Sequence, residues 1–455
     1  MSTRVREAFS GCTTAEEAVR ALTECGAERV HVGIFDAEAA FREKSVAVAK
    51  AQKMLRDGFG FSDVLYAWDI MEQTYSGGAF ADEPAEIDPA SGRRYPFAPN
   101  EALFVADFTG AHAGLSPRNL TKAQIARAAG MGYGVRAGFE YEFFLFEETP
   151  QSLRDKDYRN LRSLAPGNRT YSLATLAAEN DFLSGLLKTL AVAGIQCDCL
   201  HTELGPGCLE APLEAREGLR ACDDAALFRI LTKTYALTRE RMATFMAKWS
   251  NDWPGQSGHL HLSLFRLDDG EPVFANGGNE QAPAQTMRWF IGGLLGVLPE
   301  ILVMLAQTVN DYRRLVPGAW APSHVSWGVE NRSCAVRAIP LPREAARIEF
   351  RVPSADSNPY LALAACLAAG LTGLERRVDP PPPTEGDAYR QTVASELRFP
   401  RNLLEATERF RASTWARELF GDAFVDWYCR TRDREDSVFR AHVGELEVRR
   451  YFETV

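Results

Sequence analysis

Apolar side chains fill both faces of the stretch Arg136-Ala-Gly-Phe-Glu-Tyr-Glu-Phe-Phe-Leu-Phe146. Read with the two-residue period of a strand, Gly138, Glu140, Glu142, Phe144 and Phe146 share one face, and Phe139, Tyr141, Phe143 and Leu145 the other. The pattern predicts a strand buried on both sides. Two neighbouring carboxylates on one face of such a strand repel each other and are costly to take out of water, so cations or strong donors must meet them. A strand rim facing solvent is the ordinary alternative. Two further stretches alternate as cleanly. In residues 257–264, His259, His261 and Ser263 share a face while Leu260, Leu262 and Leu264 take the other. In residues 347–352, Arg347, Glu349 and Arg351 oppose Ile348, Phe350 and Val352. Residues 29–35 and 102–108 also read as strands.

Helical periodicity appears elsewhere. Thr13-Thr-Ala-Glu-Glu opens a helix, because a Thr hydroxyl takes free amides while Glu16 and Glu17 sit in the positive first turn. A polar helix carrying Lys44, Lys50 and Lys53 follows the first strand, and another begins at Pro117. Residues 403–452 read as helical scaffold. The Gly/Pro/Asp-rich residues 76–100 predict loops and short strands, and Pro380-Pro-Pro-Pro383 a surface connector. A boundary near residues 110–116 divides the chain into domains of residues 1–112 and 113–455, the second ending in a helical section, residues 400–455.

Composition alters this picture little. At 455 residues the chain has apolar content for two cores. A net charge of −10 speaks against a nucleic-acid backbone or an anionic membrane as partner. Met1-Ser-Thr-Arg-Val-Arg lacks the apolar segment of a targeting signal, and no window is expected to span a membrane. Nine cysteines, odd in number and without a CxxC pair, point to reduced thiols in a cytoplasm.

The chemistry-bearing residues form four groups. Besides the three strands, His201-Thr-Glu203-Leu-Gly-Pro-Gly-Cys-Leu-Glu210 sets two acids on either side of a bend, which reads as a shared site or as a plain hairpin. Between the strands lie an Arg- and Pro-containing loop with Arg314 and Trp320, and a segment with Arg332 and Arg337. Five carboxylates and a histidine make a hard, oxygen-rich set that suits magnesium or manganese better than zinc. The arginines then want anions, which a nucleotide triphosphate supplies. There is no Gly-rich phosphate loop of the Walker or dinucleotide type.

Gly-Phe-Glu-Tyr-Glu, Ser-Gly-His-Leu-His-Leu-Ser, Arg-Leu-Val-Pro-Gly, Asn-Arg-Ser and Arg-Ile-Glu-Phe-Arg, in this order, resemble the glutamine synthetase superfamily from about residue 59 to 451. The resemblance implies an α+β protein: an N-terminal β-grasp domain, then a catalytic domain of the glutamine synthetase/guanido kinase type with a curved antiparallel sheet. It implies a ring-shaped homo-oligomer, a hexamer or a dodecamer of two stacked hexamers, with active sites between subunits. Glu142, Glu203 and Glu210 match the ligands of the metal nearer the glutamate; Glu140, His259 and Glu349 match those of the metal bridging the ATP phosphates. His261, Ser263 and Arg347 match nucleotide-side positions, Arg332 and Arg337 phosphate contacts, and Arg314 and Arg351 contacts to glutamate and the acyl phosphate. Gly255 matches a backbone position beside the amino acid. Asp63 or Asp69 matches an acid lent to a neighbouring subunit to deprotonate the amine.

The family's glutamine synthetases carry a glutamate that closes the ammonium pocket in Pro-Gly-Phe-Glu-Ala-Pro; here the segment reads Pro317-Gly-Ala-Trp320-Ala-Pro322. Indole cannot take that proton and offers an apolar wall with a π face instead. Cys208 and Pro254 also depart from the pattern, whereas the metal positions do not. The expectation is an ATP- and Mg2+- (or Mn2+-) dependent ligase joining the γ-carboxylate of glutamate to an organic amine. A true glutamine synthetase, a guanido-kinase-like phosphotransferase and a catalytically silent relative are the alternatives.

Overall fold

A computed structural model describes residues 9–165, 167, 169–277 and 282–455. The hexapeptide read for a targeting signal lies outside the described residues. A first sheet runs in the order β2-β1-β6-β4-β3, with β5 also on β6. Its strands are β1 (Arg29–Phe35), β2 (Phe41–Ala47), β3 (Phe59–Ser62), β4 (Asp82–Ile87), β5 (Arg93–Arg94) and β6 (Glu101–Phe108). β1 pairs antiparallel with β2 and parallel with β6, and is buried from Val30 to Phe35. The helix Ala15–Glu24 starts where its capping residues predict: the Thr14 side chain accepts from the Glu17 amide, and Glu17 answers with a bond back to the Thr14 amide.

The polar helix expected around Lys44 divides at Ala47. Lys44 lies in β2, paired with Val32, and the helix Val48–Asp57 starts after it. β2 has no buried residue, so its sequence shows no alternation; pairing with β1 decides its state.

A second, curled sheet runs β13-β14-β15-β12-β7-β9-β8, with short β10 and β11 also on β7. Its strands are β7 (Tyr133–Phe146), β8 (His201–Thr202), β9 (Cys208–Pro212), β10 (Arg216–Glu217), β11 (Met242–Thr244), β12 (Gly258–Arg266), β13 (Trp327–Val329), β14 (Val336–Ile339) and β15 (Arg347–Phe350). One face of β7 is sealed by the helix Gly218–Leu237, whose Phe228 stands 5.7 Å from Tyr141 and 5.9 Å from Phe143 between ring centroids. From Val135 to Phe146 only Arg136, Glu140 and Glu142 on this strand escape full burial. The strand is thus buried on both sides except where its charges face a shared opening.

The helix Pro359–Arg376 is buried from Pro359 to Leu374 and crosses the helix Gln285–Ile301 at a pair of glycines. A Cβ on Gly293 would lie 2.5 Å from the Cα of Gly373, so the two backbones touch there. Residues Gln285–Met304 are long and apolar enough to cross a membrane, contrary to the sequence expectation, yet 61% of that apolar stretch is buried inside this fold. Its apolarity is that of a core helix surrounded by other elements. Arg118, 1% exposed on the helix Pro117–Gly130, links the two sheets. Its Nη2 donates to Asp88 at 2.6 Å, Nη1 to Asp107, and Nε to Asp223 of the helix Gly218–Leu237 at 2.8 Å. Of the proline connector, Pro380 is buried and 381–383 are exposed; the Trp327 indole donates to the Pro381 carbonyl at 2.7 Å.

Candidate active site

Strand register assembles the site. β12 lies antiparallel to β7 with His259 opposite Glu140 and His261 opposite Gly138. β15 then sets Glu349 opposite His261, and β14 sets Arg337 opposite Glu349. Period-two alternation puts the apolar partners into the core: Leu260, Leu262, Ile348 and Phe350 are at most 1% exposed. His259 Nδ1 stands 3.0 Å from Glu140 Oε1 and 3.4 Å from Glu349 Oε1, and His261 Nε2 is 3.6 Å from Glu140 Oε2.

Glu140, His259 and Glu349 bring one ligand atom each within 4.8 Å of one another. Burial, reinforced by the Arg351 guanidinium, pushes the His259 imidazole down to about 4, so the ring is neutral at pH 7. Its Nε2 is buried without a hydrogen-bond partner among the described residues. Burial works to raise the Glu140 carboxyl, but His259 and His261 outweigh it and hold it well below the usual range. For Glu349, burial is outweighed by Arg351 and then His259, which hold it at about 2. Two ionised carboxylates around a neutral imidazole are the donor set a hard divalent cation takes.

The second acid set depends on the Gly-Pro-Gly bend. β9 pairs with β7 so that Glu210 faces Glu142, and β8 returns His201 opposite Glu210. Gly207 has φ +80° and lies so close to β7 that a Cβ would come 2.8 Å from the Leu145 carbonyl oxygen. Only glycine fits there, and the bend holds Glu203 and Glu210 against the strand that carries Glu142. Glu142 accepts from the Ser257 amide at 2.6 Å, and Glu203 from the Leu204 amide at 2.8 Å. Burial, followed by the charge of Glu210, pushes the Glu142 carboxyl up to about 8. Burial also raises Glu210, with His201 pulling the other way. Arg314 and His201 offset the burial and mutual repulsion of this set only in part, and a bound divalent ion would relieve the rest.

The arginines divide between anion-facing and internal roles. Arg337 Nη1 reaches Glu349 Oε2 at 2.9 Å and its other nitrogens engage Glu330. Arg351 pairs with Glu349 while its buried Nε lacks a partner among the described residues. Arg347 Nε donates to His261 Nδ1 at 3.1 Å. Ser263, half-buried, faces Arg136 on β7, and Arg332 is exposed. Arg314 is 1% exposed and donates to the carbonyls of Val352 at 2.8 Å and Arg351 at 3.1 Å, and to the Ser257 hydroxyl at 3.0 Å. It holds the residue whose amide meets Glu142. A Cβ on Gly255 would fall 2.6 Å from Arg314 Cγ, which is why that position is glycine.

Trp320 is 63% exposed at φ +58°, a left-handed conformation uncommon for a bulky residue. Asp63 lies on the first sheet's side beside Glu83 and His112, with Oδ1 buried and unpartnered among the described residues. Asp69 accepts from the Met71 and Gln73 amides and pairs with Arg434 at 3.0 Å. Two residues to which the sequence reading assigned no role join the acids. His201 Nε2 stands 3.0 Å from Glu210, and Tyr171, 65% exposed at φ +53°, tilts over His201 with ring centroids 4.8 Å apart. The strand-bend-strand spacing around Gly205 placed His201 opposite Glu210; Tyr171 carries no local signal.

Three comparisons bear on this arrangement. Residues 114–451 match the family model described as glutamine synthetase, catalytic domain. The chain is 34% identical over 434 residues to the type-1 glutamine synthetase 2 of Dictyostelium discoideum, covering 92% of this chain and 82% of that protein. It is 32% identical over 441 residues to the glutamate–isopropylamine ligase of a Pseudomonas species, covering 94% and 95%. A solved structure titled GmaS/ADP complex superposes with a TM-score of 0.84 at 28% identity, covering 96% of this chain and 99% of that one.

Proposed function

The chain belongs to the glutamine synthetase family, and from that premise we propose that it is an ATP-dependent ligase joining the γ-carboxylate of glutamate to an organic amine. The observation that carries this reading is a selective change: both acid sets stand around β7 as the family pattern requires, while the position of the ammonium-closing glutamate is an exposed indole, Trp320.

In this reading Glu140, His259 and Glu349 hold one divalent ion, and Glu142, Glu203 and Glu210 another. Magnesium or manganese bound there would neutralise phosphoryl charge and orient the nucleotide. A carboxylate does not react with an amine because oxide is too poor a leaving group, so ATP phosphorylates it to an acyl phosphate that an uncharged amine attacks. Arg332, Arg337 and Arg351 are the phosphate-side cations, His261, Ser263 and Arg347 lie on the nucleotide side, and Arg314 positions the glutamate end through Ser257. Asp63 or Asp69 deprotonates the amine of an adjoining subunit. The N-terminal sheet, with β1 parallel to β6 and antiparallel to β2, supports a β-grasp domain over residues 1–112 preceding the catalytic domain, 113–455. A hexameric or dodecameric ring follows from the same reading, and nine unpaired cysteines support a cytoplasmic setting.

ADP release with glutamate as donor, measured across ammonium, methylamine, ethanolamine, isopropylamine, putrescine and spermidine, tests the proposal. A substituted amine is expected to exceed ammonium in kcat/KM by at least about tenfold, the discrimination expected of about 1.4 kcal/mol in the acceptor pocket. Ammonium as the best acceptor returns the chain to glutamine synthesis, and no glutamate-dependent turnover with any amine removes the ligase reading. The exchange Trp320→Glu should move preference towards ammonium by about an order of magnitude. Unchanged relative rates across the panel would show that Trp320 does not set the acceptor.

A further inference from the structure

Four arginines crowd a cavity of about 500 Å3 at the seam between the first sheet and the helix Gly218–Leu237: Arg93 and Arg94 on β5, Arg216 on β10, and Arg220 in the helix's first turn. Two carboxylates answer them. Asp224 meets Arg93 at 2.8 Å, Arg220 at 3.0 Å and Arg216 at 3.9 Å, and Glu214 meets Arg216 at 2.8 Å. Asp223, next to Asp224, is committed to Arg118. Four guanidiniums against the two acids that pair with them directly leave positive charge in excess, reduced by Asp223, which also acts on Arg93 and Arg220.

The donors are not all used. Arg93 is 3% exposed, and its Nη2 is buried with no hydrogen-bond partner among the described residues; Arg94 Nε is in the same condition. Burial and the neighbouring Arg93 push Arg220 down to about 10, so the cluster is crowded by like charge. Gly194, at φ +76°, brings its backbone against the Arg220 guanidinium: a Cβ there would lie 3.0 Å from Nη2. The opening is of the size that takes small ligands, and forked guanidiniums match carboxylate and phosphate oxygens two at a time.

We propose that this cavity binds a small dianion, a dicarboxylate or a phosphate, bridging β5 to β10 and the start of the helix Gly218–Leu237. It lies apart from the two acid sets but borders the same strand, since Arg216 pairs with Ala137 of β7, three residues before Glu140. Isothermal titration of the full chain with succinate, and separately with inorganic phosphate, tests this. Saturating ADP and magnesium are present throughout so that the nucleotide position is filled, and glutamate, itself a dicarboxylate, is left out. One of the two anions should bind saturably, with sodium chloride at equal ionic strength giving no such heat, and which one binds tells a dicarboxylate site from a phosphate site. The double variant R94Q/R216Q, on partly exposed side chains, should fold as the parent does and weaken that binding at least tenfold. No saturable binding of either anion, or the same affinity in the double variant, would overturn the site.

Discussion

Replacing Glu142 with alanine is expected to lower amine-dependent ADP release by about a hundredfold or more, the size of loss typical when one preorganised charge-stabilising group leaves a reacting centre. The same change should leave the melting temperature unchanged or slightly raised. Glu142 is buried against Glu210, its carboxyl is pushed up to about 8, and a single amide, that of Ser257, is its hydrogen-bond donor at 2.6 Å. A carboxyl raised that far must take up a proton to stay buried at neutral pH, which costs the folded state stability, so its removal relieves that cost rather than breaking a support. Opposite signs for activity and stability separate a functional acid from a structural one. Glu147→Ala, one residue beyond β7 at an exposed pair with Arg162, should change neither quantity. Turnover in Glu142→Ala equal to the parent would remove Glu142 from the site, and loss of activity with collapse of the fold would make its role structural.

Period and chemistry coincide at the strands that build the site, which is why they are legible in the chain. β7, β12 and β15 each alternate a core side with a charged side, and once they lie antiparallel, register brings Glu140, His259 and Glu349 within reach of one another. The second acid set required one further inference, that Gly-Pro-Gly folds back on β7, and the glycine contacts of that bend account for it. What stayed illegible depended on partners far along the chain. β2 is polar on both faces and is a strand only through β1. The apolar helix Gln285–Ile301 reads the same whether lipid or protein surrounds it, and its crossing with Pro359–Arg376 decides between them. Arg314 carries a motif, but its donors go to carbonyls that the motif does not contain. Tyr171 reaches His201 from a loop without periodicity. A guanidinium's role is set by what it faces, and sequence spacing shows only that it is present.

The largest expected loss of stability belongs to one such residue. Arg118→Ala should destabilise the chain by about 3–5 kcal/mol, the range for removing one member of a buried ionic cluster. Its guanidinium is buried between Asp88 and Asp107 on one side and Asp223 on the other, and Asp223 also takes the Tyr360 hydroxyl at 2.6 Å. Burial raises the Asp223 carboxyl, yet Arg118 outweighs it and keeps the group below its ordinary value. Without Arg118, three acids would share that space with Lys122, which reaches Asp107 at 2.7 Å from a partly exposed position, and with Arg93 acting on Asp223 from beside it. Arg118→Lys keeps the charge but supplies one nitrogen where three now donate to three different carboxylates, so it should recover only part of the loss. Since the cluster joins the first sheet to the helix Gly218–Leu237, urea unfolding of the alanine variant should divide into two transitions, the first sheet separating from the rest. A single cooperative transition at the parent's midpoint would show that other contacts hold the two sheets together and that Arg118 is not their tie.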